Sequence, residues 1–236
     1  MAVVEPLPEG YSLTVALPTL NEAATIAEVV GAARPFAAEV LVIDGHSSDE
    51  TAILAEAAGA RVVLDPRTGK GGAVRYALEV AAGDVVVFMD ADGSHAAEDI
   101  PRLAAPIRAG DADLVVGCRM TGGSEELHGD LLRLLRLNGT ELVTLAVNAR
   151  WKAGLTDVQN GFRAVRRDVG LALALREDGF SVQEEMVMKA LRRSYRVVNV
   201  PSFERRRRHG ESRVVLHRDG LASLWCVVKH MAGIGR

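Results

Sequence analysis

Cysteine is nearly missing from this 236-residue chain, which has only Cys118 and Cys226. Two are too few for a disulfide framework and lack metal-ligand spacing, so both read as buried apolar fillers of a reduced, cytoplasmic protein. No apolar run is long enough for a bilayer span; the longest C-terminal one, Leu221 to Ile234, is broken by Lys229 and His230. The start carries no basic, apolar, small-residue leader, so secretion is not expected. Internal repeats and low-complexity linkers are missing too. Net charge is slight, −3, and no nucleic-acid partner is expected. Within that balance, residues 192–213 hold eight arginines against two glutamates. A basic patch on an acidic body suggests an anionic partner. What the chain has in quantity is hydrophobic residues, 48%, enough for one substantial core and one domain.

Apolar runs and turn signals alternate through the first half. Residues 12–18 read as a first strand, and Thr19-Leu-Asn-Glu22 has capping-box spacing for a helix to about Ala33. Glu39 to Asp44 predicts a second strand, and Ser47-Ser-Asp-Glu50 repeats the capping signature for a helix to about Ala58. Arg61 to Asp65 is a third strand, and a loop, Arg67-Thr-Gly-Lys-Gly-Gly72, leads into a helix through about Ala82. Then comes an unbroken apolar run, Asp84 to Asp90, followed by Ala91-Asp92-Gly93-Ser94. A helix from Ser94 or His95, with Glu98 and Asp99 in its first turn, precedes a strand from Asp113 to Cys118. This βαβ alternation predicts an α/β fold, a parallel sheet wrapped by helices.

The second half is less regular. Thr121 to Ser124 reads as a flexible loop and Asp130 to about Arg150 as an amphipathic helix, its Leu131–Leu137 stretch serving as core or dimer contact. Trp151 to Arg163 is rich in turn residues, with a strand start. Gly179 to Leu191 predicts a helix, Arg196 to Pro201 a strand, and a last helix begins at about Asp219. Trp151 and Trp225 are expected in the core.

Strand exits of a parallel sheet share one edge, where ligands bind. There the chain places Pro18-Thr-Leu-Asn-Glu22, Asp44, Gly69-Lys70-Gly-Gly72 and Asp90-Ala-Asp92. Two close carboxylates repel unless a cation or proton holds them. Oxygen-only ligands suit Mg²⁺ or Mn²⁺, which keeps positions for water and substrate phosphates. Asp44 can accept hydrogen bonds from a base or ribose, and Lys70 can approach phosphates. The combination suits a nucleoside diphosphate. Gly-Lys-Gly-Gly lacks the rest of a phosphate loop, and no Gly-x-Gly-x-x-Gly follows the first strand. A P-loop NTPase and a dinucleotide dehydrogenase are therefore disfavoured.

The order Pro-Thr-Leu-Asn-Glu, Val-Ile-Asp44, Gly-Lys-Gly, Met-Asp90-Ala-Asp92, Val-Val-Gly-Cys-Arg119, Asp157-Val-Gln-Asn-Gly-Phe-Arg163, Gln183-Glu-Glu185-Met and Arg207-His-Gly-Glu-Ser212-Arg213 resembles family 2 glycosyltransferases. Within them it is most similar to polyprenyl-phosphate (dolichyl-phosphate) mannose and glucose synthases. The resemblance covers about residues 12–217. It implies a GT-A fold with a mostly parallel central sheet flanked by helices, a nucleotide-sugar donor, and inversion at the anomeric carbon. It puts Pro18, Thr19, Glu22 and Asp44 at the nucleoside and Lys70, Asp90, Ala91, Asp92 and Arg119 at the diphosphate. Asp90 and Asp92, with Ser94 as a third contact, would hold Mg²⁺ or Mn²⁺. Arg207, Ser212 and Arg213 would handle donor and acceptor phosphates. Arg213 stands where the family has lysine, Gly45 where many members have a second aspartate, and Asn199 where glutamate is common.

The resemblance divides the chain into an N-terminal tail (1–11), one domain (12–217, with a nucleotide-binding half at 12–119 and an acceptor-side half at 120–217) and a C-terminal amphipathic helix (218–236). The function expected is hexose transfer from GDP-mannose or UDP-glucose to polyprenyl phosphate. A soluble small-molecule acceptor is the alternative, and a noncatalytic nucleotide-sugar-binding subunit is opposed by intact Asp90, Asp92, Arg207 and Arg213. A phosphate acceptor is already anionic and needs no strong base; an alcohol needs a carboxylate, for which Asp157 and Glu185 are the candidates. A cytoplasmic protein with peripheral contact at the inner membrane face, and room for a homodimer, completes the expectation.

Overall fold

In the computed structural model, which describes residues 10–125, 131–207 and 216–234 apart from the side chains of 131–140 and 216–218, the valine-rich runs are strands. They are β1 (Leu13–Thr19), β2 (Glu39–Asp44), β3 (Arg61–Leu64), β4 (Val85–Phe88), β5 (Leu114–Cys118), β6 (Arg163–Arg166) and β7 (Val197–Pro201). Their order in one sheet is β3-β2-β1-β4-β6-β5-β7. All run parallel except β6, which lies antiparallel between β4 and β5. The architecture is α/β, as expected. The antiparallel strand is the departure, and its short Arg-Ala-Val-Arg sequence hides it.

Side chains alternate across the sheet. Ala16, Leu41, Ile43, Val86, Phe88 and Val165 face one core, while Val15, Leu17, Val40, Val42, Val85 and Val87 face the other. Each fully buried Val, Leu or Ile contributes roughly 1.5–3 kcal/mol, so a one-residue slip of β1 or β4 is excluded. Helices α1 (Ile26–Ala33), α2 (Thr51–Ala57), α3 (Gly69–Val80), α4 (Ile100–Arg108), α5 (Arg119–Gly122), α6 (Leu131–Trp151), α7 (Arg167–Ala172), α8 (Val182–Arg192) and α9 (Leu216–Met231) surround it.

Several starts differ from expectation, each for a physical reason. Neither capping box forms: α1 and α2 begin at Ile26 and Thr51, and neither has a side-chain cap bond. The two stretches clasp each other instead. The Asn21 amide donates to Ser47 Oγ (2.8 Å), Ser48 N–H donates to Asn21 Oδ1 (2.7 Å) and Glu22 N–H donates to Thr51 Oγ1 (2.8 Å). The loop at 67–72 is already helix from Gly69. Its glycines serve close packing: a Cβ on Gly71 would lie 1.9 Å from the Glu177 carbonyl oxygen, and the Gly71 amide donates to the Asp178 carbonyl (2.8 Å). After Ser94 a 3-10 turn (Ala97–Asp99) precedes α4, so neither Ser94 nor His95 starts the helix. Thr121–Gly122 ends the short α5, and a Cβ on Gly122 would collide with the Ser202 backbone at 2.3 Å. Trp151 packs against the core, but Trp225 is 62% exposed. Both cysteines are buried and free.

Candidate active site

β4 ends at Phe88, and the chain then turns through Asp90, Ala91 and Asp92. The Asp90 amide donates to His95 Nδ1 (3.1 Å), and the His95 ring stacks on Phe162 with centroids 4.8 Å apart. As an acceptor, Nδ1 carries no proton. The buried Ala91 carbonyl accepts from Thr25 Oγ1 (2.7 Å). Asp92 Oδ1 accepts from both the amide (2.9 Å) and the hydroxyl (2.6 Å) of Ser94, a local side-chain turn that fixes its carboxylate.

Cations from distant parts of the chain meet this turn. Lys70, in the first turn of α3, puts Nζ 2.5 Å from Asp90 Oδ1. Arg207 puts Nη2 2.7 Å from Asp92 Oδ2 and Nη1 3.7 Å from Glu22 Oε1. Burial opposes ionisation of Asp90, but the Lys70 ammonium above all, with Arg207 behind it, holds the carboxyl well below the usual range. Asp90 Oδ2 receives no hydrogen bond from a described residue. Among the described residues no group of three or more His, Cys, Asp or Glu gathers as metal ligands. With Asp90 Oδ2 open, the two carboxylates fit a hard ion that takes few protein oxygens and completes its shell from water and phosphate.

At the neighbouring strand exits, Asp44 ends β2 beside Thr19 of β1, and its carboxylate accepts from the Ser47 amide (3.1 Å). The Thr19 hydroxyl donates back to the Leu17 carbonyl (2.8 Å), so the strand holds that side chain. Pro18 lines a small cavity shared with Lys70, Asp90, Gly161 and Gln183.

Arg119, at the exit of β5, meets Asp157 two-pronged: Nε to Oδ2 at 2.7 Å and Nη2 to Oδ1 at 3.1 Å. Glu204 Oε1 lies 3.7 Å from its Nη1. Burial would lower the Arg119 guanidinium, but Asp157 and then Glu204 hold it above its ordinary value. Asp157 is 1% exposed and also accepts from the amides of Gln159 (3.0 Å) and Asn160 (3.2 Å). Its carboxylate is thus committed to holding the 157–162 loop and Arg119. Glu185 is equally committed, and elsewhere. It accepts from the Arg176 and Glu177 amides and pairs with Lys189 Nζ at 2.8 Å. Both general-base candidates are therefore held by cations and backbone amides. Ser212 and Arg213 lie outside the described residues.

Sequence reasoning missed the supports of this site. Arg163, 2% exposed, donates to the carbonyls of Asn160 and Gln183 and so shapes the 157–162 loop; burial pulls its guanidinium down to about 10 despite Glu184 and Asp157 nearby. Asn199 accepts from the Thr156 amide (2.7 Å) and donates to the Val116 (3.0 Å) and Asp157 (2.8 Å) carbonyls, tying that loop to β5. Arg163 entered only as the end of the Asp157–Arg163 motif and Asn199 only as a residue standing where glutamate is common; neither signal pointed to a supporting role.

Comparison with known proteins agrees with this geometry. The profile of the family described as Glycosyl transferase family 2 matches residues 14–170. The chain is 35% identical over 198 residues to Glycosyltransferase AglJ of Haloferax volcanii, covering 83% of this chain but only 64% of that relative's length. It is 33% identical over 240 residues to the undecaprenyl-phosphate mannosyltransferase of Micrococcus luteus, covering 89% of this chain and 94% of that one. Among solved structures, glucosyl-3-phosphoglycerate synthase from Mycobacterium tuberculosis with Mn²⁺, UDP and phosphoglyceric acid superposes with a TM-score of 0.75 at 25% identity, covering 94% of this chain and 79% of that one.

Proposed function

Because the chain belongs to glycosyltransferase family 2, we propose that it moves a hexose from a nucleoside diphosphate sugar of the GDP-mannose or UDP-glucose type to polyprenyl phosphate, with inversion and with Mg²⁺ or Mn²⁺. The observation that carries the acceptor class is the pairing of the site's carboxylates. Asp90, Asp92, Glu22, Asp157 and Glu204 each face Lys70, Arg207 or Arg119. A carboxylate held by a cation is a poor proton acceptor, so an acceptor that is already ionised fits better than an alcohol. The likeness to an undecaprenyl-phosphate mannosyltransferase supports the same reading.

Asp90 and Asp92 would hold the divalent ion, with Ser94 steadying Asp92. That ion, when bound, would offset charge building on the departing diphosphate. Lys70 and Arg207 serve the same end as preset cations, an electrostatic rather than covalent role. Asp44 would receive the nucleoside, and Arg119, Arg207, Ser212 and Arg213 the phosphates.

No helix among the described residues is long and apolar enough to cross a membrane. A peripheral contact at the inner membrane face is supported by α9, whose Leu221, Leu224, Trp225 and Val228 are exposed at i, i+3, i+4 and i+7 spacing. The same face leaves room for a homodimer.

A soluble acceptor is the second reading, favoured by the fold likeness to a synthase bound to phosphoglyceric acid. Incubation with Mn²⁺, a panel of nucleotide sugars and either a short polyprenyl phosphate or a soluble extract separates the two. Transfer only to soluble acceptors sinks the lipid reading. Absence of donor hydrolysis or transfer with every acceptor would support a noncatalytic binding role.

A further inference from the structure

One polar side chain beside Asp90 has no hydrogen-bond partner among the described residues. Gln183 opens α8, half-buried; its amide N–H donates to the Phe180 carbonyl and its own carbonyl accepts from Arg163, but its side-chain amide makes no hydrogen bond with any described residue. Its Nε2 lies beside the charged groups of the site over Gly161: a Cβ built on that glycine would meet Gln183 Nε2 at 3.1 Å, Asp90 Oδ2 at 3.1 Å and Lys70 Nζ at 3.3 Å. These three groups and Gly161 line one cavity with Pro18, Phe88 and Met186. The bare glycine keeps a side chain from crowding these groups. Around it stand an anion that accepts, a cation that donates, and an amide that does both.

We propose that Gln183 reads a hydroxyl of the donor's sugar, so that it is a specificity-determining residue for the hexose and not for the nucleotide. The proposal rests on the nucleotide-sugar reading above. An uncharged amide able to give and take a hydrogen bond suits a sugar hydroxyl, whereas phosphoryl oxygens are better met by Lys70 and Arg207, the charged donors already there. Gln183 lies on the first turn of a helix anchored through Arg163, so its amide is held rather than carried on a mobile loop. Selectivity follows from the cost of leaving such a group unpaired when a hydroxyl is missing or epimeric.

The test compares binding of UDP-glucose with UDP, and of GDP-mannose with GDP, by titration calorimetry with Mn²⁺, in the full chain and in Gln183→Ala and Gln183→Glu. Since the side chain holds no hydrogen bond with a described residue, the variants should keep the native melting temperature. The expected result is at least tenfold weaker binding of the preferred nucleotide sugar in Gln183→Ala, with the matching nucleoside diphosphate changed less than twofold. Gln183→Glu should shift the ratio of turnover between glucosyl and mannosyl donors by tenfold or more. Equal losses for sugar and sugar-free nucleotides, or no loss for either, overturn the assignment. A wild-type chain that binds the bare diphosphates with Mn²⁺ but gains nothing from any attached sugar overturns it too, leaving the nucleotide site standing; one that binds none of them overturns the donor reading itself.

Discussion

Arg119 and Asp157 meet in a two-point pair, Nε–Oδ2 at 2.7 Å and Nη2–Oδ1 at 3.1 Å, with the carboxylate buried beneath the 157–162 loop. Removing one partner of such a pair leaves an uncompensated buried charge, which costs about 3–5 kcal/mol. Asp157→Ala should lose stability on that scale in urea unfolding, and Arg119→Leu/Asp157→Leu should regain much of it. An Asp157→Ala variant as stable as the parent would contradict the pairing.

Arg207 sits on the same carboxylate that would hold the metal, 2.7 Å from Asp92 Oδ2. A divalent ion must share Asp92 with it or displace it. Arg207→Gln should therefore bind bare Mn²⁺ several-fold more tightly while losing nucleotide-sugar affinity by on the order of tenfold. Asp92→Asn should lose both, with turnover down on the order of 10²-fold. Mn²⁺ titration followed by electron paramagnetic resonance reads the first effect directly; unchanged Mn²⁺ affinity in Arg207→Gln would separate Arg207 from the metal site.

Gly71 is held against the Glu177 carbonyl, where a Cβ would lie at 1.9 Å. Because the obstacle is backbone, Gly71→Ala must push α3 away from the 177–178 turn. A loss of about 1–3 kcal/mol follows from overpacking, together with weaker donor binding as neighbouring Lys70 moves off Asp90. Thermal unfolding checks the first part, and calorimetric donor titration the second.

Glu184 is buried, and its carboxyl is raised by that burial although Ser223 and Gln159 both donate to Oε1. Its Oε2 has no hydrogen-bond partner among the described residues. Below the ordinary value of 4.5 the acid is neutral folded or unfolded and carries no penalty; as pH climbs from there through the raised folded value, the unfolded state ionises more readily and stability falls. Glu184→Gln keeps an acceptor for both donors and removes the titration. It should be more stable than the parent at pH 7 and no more stable at pH 4, as read by denaturant midpoints. A gain independent of pH would point to packing instead.

How much of this was legible in the sequence depended on whether a residue acts locally. Asp90 and Asp92 could be placed because an apolar strand run ends at them, and Lys70 because it opens the crossover helix that leads into that strand. The seven-stranded α/β sheet followed from valine periodicity except for β6, whose four residues give no pattern and whose direction depends on a long return through α6. The capping boxes misled because Asn21 and Ser47 bond each other across two loops rather than their own helices. The counter-ions of Asp157 and Glu185, Arg119 and Lys189, cannot be assigned until the chain folds. Gln183 drew notice only as part of a motif, since a free amide is defined by the absence of neighbours.

The central claim is transfer onto a phosphate without a protein base. Its most direct measurement supplies purified protein, Mn²⁺ and labelled GDP-mannose or UDP-glucose with two acceptors that differ in one group, a short polyprenyl phosphate and the matching polyprenol. Labelled glycolipid from the phosphate and none from the alcohol is the predicted result. Transfer to the alcohol or to soluble hydroxyl acceptors, with the phosphate left unused, would contradict it.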